Sequence, residues 1–94
     1  MLFAIIGTDV PNSYSKRLSV RPAHVARLET LHQSGRLVLA GPFPLEVGEG
    51  FSGSLIVADF PSLDEAKLWA DADPYVQTGV YALVSVKPFK QVFP

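Results

Sequence analysis

Apolar residues fall in short runs along this chain, divided by polar or turn-forming stretches, and the spacing inside each run predicts its element. Leu2 to Gly7 is continuously apolar and closes on Gly7-Thr8-Asp9, the pattern of a short buried strand. Val10 to Ser19 is polar and turn-rich around Pro11-Asn12-Ser13, which predicts a loop with room for a turn of helix. Arg21 precedes a proline and is biased away from helical geometry, so Pro22 suits the first helical position. The helix then runs to about Ser34 and stops at Gly35, with His24, Leu28 and Leu31 on one face.

Arg36 to Ala40 predicts a second strand closed by Gly41-Pro42, and Phe43 to Gly50 a loop or hairpin connection. Ser52 to Phe60 predicts a third strand. Ser62 followed by Glu65 is a capping box for a second helix, whose apolar stripe is Ala66, Trp69 and Ala70. Asp73-Pro74 ends that helix and can cap a short turn after it. Val80 to Val86 is the last strand, with Pro88 where a strand ends or lies at an edge.

The order β-α-β-β-α-β is the split βαβ, or ferredoxin-like, arrangement of the α+β class: a four-stranded antiparallel sheet with both helices on one face. Leu2, Phe3, Ile5 and Ile6, like Leu55, Ile56, Val57 and Ala58, put apolar side chains on both faces of that sheet. The simplest cover for the second face is another copy of the same sheet, so a homodimer is expected. Composition agrees. The 94 residues allow one domain, 1–94, and 48% of them are hydrophobic. A chain this size buries only about 60–65% of its unfolded surface, so it gains from sharing apolar area with a partner.

Charge and cysteine content narrow the chemistry. A net charge of −1 without a basic block gives no electrostatic hold on nucleic acid. Without cysteine there are no disulfides, thiolate catalysis or thiolate-bound zinc. The apolar N-terminus is too short for a membrane span and lacks a signal peptide's basic flank, so a cytoplasmic location is expected. No metal or cofactor is expected either: His24 and His32 stand alone without carboxylate clusters, and no glycine-rich phosphate loop or GxSxG elbow occurs. His32, near the helix end, reads as a surface residue facing the helix dipole.

Several segments, taken in order, resemble the YciI-like (YCII-related) family: Arg17-Leu18-Ser19-Val20-Arg21-Pro22-Ala23-His24, Leu28, Gly35-Arg36-Leu37, Ala40-Gly41-Pro42, Ala70-Asp71-Ala72-Asp73-Pro74-Tyr75, and Tyr81 through Phe89. The resemblance spans nearly the whole chain. It implies a ferredoxin-like subunit that pairs into a dimeric α+β barrel, with a histidine on the first helix and an aspartate after the second as its active site. Those positions are His24 and Asp73. From the residues alone, His24 reads equally well as a satisfied structural histidine, Asp73 as a plain helix cap, and Asp71 as a competing partner; the motif selects Asp73. Arg17 and Arg21 offer paired donors to a substrate carboxylate or phenolate, although either also reads as a solvated surface arginine. Ser54 and Tyr75 are hydroxyl candidates for the same pocket. The resulting expectation is a cofactor-independent lyase or isomerase that moves protons on a small cyclic or aromatic molecule. The alternative is a non-catalytic module that binds a small ligand in the same pocket.

Overall fold

A computed structural model describes all 94 residues, Met1–Pro94. Four strands, β1 (Leu2–Asp9), β2 (Leu37–Pro44), β3 (Phe51–Asp59) and β4 (Tyr81–Phe89), form one antiparallel sheet in the order β2-β3-β1-β4. Helix α1 (Tyr14–Gln33) joins β1 to β2, while α2 (Leu63–Asp71) and the single turn α3 (Pro74–Gln77) join β3 to β4. This is the β-α-β-β-α-β, ferredoxin-like order.

The caps follow the sequence signals. Ser62 accepts the Glu65 N–H at 3.1 Å to open α2, and Asp73 accepts the Tyr75 N–H at 2.9 Å to open α3. Gly35 sits just past α1 with φ 74°, a left-handed position that glycine takes without strain. Pro88 lies on β4, an edge strand, where its missing N–H costs least.

Strand β4 runs on through Pro88 to Phe89 rather than ending at Val86, and two further boundaries differ from expectation. Helix α1 begins at Tyr14, so Pro22 is inside it rather than at its start. A proline there forfeits one helical hydrogen bond and crowds the preceding turn, at about 3 kcal/mol or more. Tertiary contacts made by the early turns offset that cost. Ser13 and Arg17 are both tied to Asp9 at the end of β1, and Tyr14 packs edge-on against Phe51 with ring centroids 6.0 Å apart. Strand β2 also runs through Gly41-Pro42 to Pro44 rather than stopping at Ala40. As the other edge strand it tolerates proline, and Pro42 pairs with Ser54 without breaking register.

The core lies between sheet and helices: Phe3, Ile5, Ile56 and Ala58 from the sheet meet Leu31 of α1 and Ala66 and Ala70 of α2. The opposite sheet face carries Leu39, Phe43 and Leu83, each more than 40% exposed, beside the half-buried Ile6 and Leu55. Both sheet faces are therefore apolar, and the chain covers only one.

Candidate active site

Because β1 and β3 are antiparallel, so are the helices that follow them, and the first half of α1 meets the segment that leaves α2. Here the structure gathers most of the chain's buried polar groups: Ser13, Arg17, His24, Ser54 and Asp73. His24, on the inward face of α1, places Nδ1 at 2.9 Å from Oδ1 and 3.0 Å from Oδ2 of Asp73, although the two lie 49 positions apart. Oδ1 of Asp73 also caps α3, so the carboxylate is held by backbone on one side and orients the imidazole on the other. Asp71, the competing carboxylate, is exposed, and only its backbone carbonyl is engaged, by Gln77.

The ring of Tyr75 stacks on His24, with centroids 4.0 Å apart and planes 10° from parallel. With Asp73 at the ring edge and Tyr75 on its face, His24 has little rotational freedom. Nδ1 is spent on Asp73, and Nε2 makes no hydrogen bond within the chain. A carboxylate that accepts Nδ1–H fixes the tautomer in which Nε2 carries the free lone pair.

Arg17 is buried, not a solvated surface residue. Its Nε and Nη2 form a fork on Asp9 at 2.6 and 3.0 Å, and Nη2 also donates to Oγ of Ser54 at 2.7 Å. Ser13 donates to the same aspartate at 2.6 Å. Burial works against the Arg17 charge, but the hydrogen bond and the attraction of Asp9 outweigh it and raise its pKa. The guanidinium carbon lies 4.9 Å from the Tyr75 ring centroid and 5.3 Å from that of Phe51, within cation–π range. Burial raises the Tyr75 phenol, with the nearby Arg17 and Arg21 charges opposing it. Tyr81 packs edge-on against Tyr75, with ring centroids 5.5 Å apart. Its ring lies so near Gly7 that a Cβ there would come within 2.5 Å, and burial pushes its phenol up to about 12.

Above these groups is a cavity of about 310 Å³, lined by Arg17, Arg21, His24, Ser54 and Tyr75 along with apolar residues of α1, β2 and β3. Its size is at the lower end for small-molecule sites, which fits a single-ring ligand. Asp73 does not line it, so the carboxylate stands behind the imidazole. No group of three or more His, Asp or Glu side chains is arranged to hold a metal ion.

The model of the YCII-related domain matches residues 1–90. This chain belongs to the YCII-related family. The member named Protein YciI from Escherichia coli is 56% identical over 98 residues, covering 99% of this chain and all of the relative. An uncharacterized Haemophilus influenzae protein is 50% identical over the same span. Among solved structures, the 5-chloro-2-hydroxyhydroquinone dehydrochlorinase of Burkholderia phenoliruptrix, in complex with 2,5-dihydroxybenzoquinone, is similar: 32% identical, TM-score 0.82, covering 96% of this chain and 94% of that one.

Within this YCII-related site, Asp9 and Ser13 are polar members that reading the sequence passed over. Asp9 was legible only as the end of a strand. The signal that marks it is the eight-residue step to Arg17, which the early start of α1 turns into a contact. Tyr81 stood out only as the first residue of the segment Tyr81 through Phe89. Its burial beside Gly7 is visible only once β1 and β4 are paired.

Proposed function

We propose that this YCII-related chain is a cofactor-independent proton-transfer enzyme of the lyase or isomerase type, acting on a small cyclic or aromatic molecule. The observation that carries this reading is the buried His24–Asp73 contact, with the other side of the imidazole on the cavity. His24 is the general acid/base through Nε2, and Asp73 orients it and stabilises its charged form. Arg17, Arg21, Ser54 and Tyr75 hold the ligand. Removal of a proton from a ring hydroxyl lets oxygen form a carbonyl, and the displaced ring electrons take up a proton at the ring carbon that bears the leaving group. That is an isomerisation. A second deprotonation then expels an anionic leaving group with its bonding pair, which is a lyase step. The dehydrochlorinase relative, which bound a dihydroxybenzoquinone, supports a substrate of this kind. A homodimer joined through the uncovered sheet face and a cytoplasmic location belong to the same proposal.

The test is incubation with a panel of hydroxylated chloroarenes, following chloride release and quinone absorbance. The wild-type chain turns one of them over. His24→Ala loses at least about 100-fold in turnover, the range expected for a lost general base, while ligand affinity stays within a few-fold. Saturable binding without turnover in the wild type, with affinity lost in His24→Ala, contradicts this and identifies a binding module instead.

A further inference from the structure

The chain has a net charge of −1, yet two arginines and a histidine line the cavity and no aspartate or glutamate does. Arg17, Arg21 and His24 recur at i, i+4 and i+7, so they form one stripe along α1. The two arginines are used differently. Arg17 is immobilised by Asp9 and Ser54 through Nε and Nη2 and reaches toward the Tyr75 hydroxyl, while Nη1 has no well-formed internal hydrogen bond and is not sealed from solvent. Arg21 is exposed on the rim and takes part in no hydrogen bond or ion pair, so its charge is uncompensated. Asp9, which neutralises Arg17, does not line this cavity. A fixed donor therefore sits beside a free positive charge, one helical turn from the imidazole.

We infer that the cavity selects an anion: a planar ring bearing a carboxylate or phenolate oxygen, seated between Nη1 of Arg17 and the guanidinium of Arg21. Apart from the Tyr14, Ser54 and Tyr75 side chains, most of the remaining lining is apolar, including Val25, Leu28, Ile56 and Phe51, which suits the ring. Arg17 supplies directed donors, and Arg21 supplies the charge that separates an anion from its neutral analogue. Asp9 is a positioning residue that aims Arg17 without touching the ligand. This rests on the proton-transfer reading only in placing the reacting atom at His24.

Calorimetric titration of the full chain with benzoate and with benzamide, matched in shape and different in charge, tests the inference. Benzoate is expected to bind at least about tenfold tighter, a difference of about 1.4 kcal/mol, with 4-nitrophenolate similarly preferred over 4-nitroanisole. The preference weakens as salt rises, because Arg21 is solvent-exposed. Arg21→Gln, on the surface and without internal bonds, keeps the fold and removes most of the preference. His24→Ala leaves it within about threefold, so a failure of catalysis is distinguishable from a failure of anion selection. Equal affinity for benzoate and benzamide, a preference that survives Arg21→Gln, or no binding of either at millimolar concentration overturns the proposal.

Discussion

Asp9 and Arg17 are almost wholly enclosed, with side chains 1% and 7% exposed. Breaking such a pair strands the surviving charge, at about 3–5 kcal/mol, whereas forming it yields far less net stability because both charges must be desolvated. Asp9→Ala is therefore expected to lower unfolding free energy by that amount in urea. A loss below about 1 kcal/mol would mean that Arg17 is solvated and poorly held. Tyr81 presents the converse case. Its hydroxyl is buried beside Ser54 without a well-formed hydrogen bond, so Tyr81→Phe should change stability at neutral pH by less than about 1 kcal/mol. Its folded pKa, raised to about 12, exceeds the ordinary value of 10. The folded state thus keeps a proton that the unfolded state loses, and stability is complete below pH 10 and falls as pH rises toward 12. Alkaline denaturation followed by circular dichroism should show that loss in the wild type and less of it in Tyr81→Phe. Identical alkaline profiles contradict the assignment.

Among the elements, Gly53 shows how tightly β1 and β3 approach beneath the site. A Cβ at Gly53 would lie 2.1 Å from the Gly7 carbonyl oxygen, which is backbone and cannot swing aside, whereas one at Gly41 meets nothing within 4 Å. Gly53→Ala should cost more than about 2 kcal/mol and Gly41→Ala much less; equal melting points for the two contradict this packing. The strands and helices were legible because their signals are local: the apolar run Leu2–Gly7, the Ser62–Glu65 cap, Asp73-Pro74 and Gly35. The start of α1 was not, because it depends on Asp9 holding Ser13 and Arg17, contacts that exist only after β1 is in the sheet. The same dependence made Arg17 look like a surface residue. His24 stood out by its place among Leu28 and Leu31, but its pairing with Asp73 rather than Asp71 needed the motif, since both carboxylates lie within two residues of the end of α2.

At the scale of the whole molecule, the apolar sheet face opposite the helices is left uncovered. Leu39 and Leu83 project from it at 48% and 70% exposure. Light scattering at micromolar concentration should give about twice the 10.2 kDa chain mass. Leu39→Glu together with Leu83→Glu should return a folded monomer, since neither side chain belongs to the core beneath the helices. A wild-type chain that scatters as a monomer contradicts the second-copy cover.

Whether Asp73 holds His24 with Nε2 free toward the cavity is read most directly by long-range ¹H–¹⁵N correlation of the imidazole. The prediction is a neutral-state pattern with the proton on Nδ1 and the lone pair on Nε2, which Asp73→Asn disturbs and Asp71→Asn leaves unchanged. A ring protonated on Nε2, or one indifferent to Asp73→Asn, contradicts the account.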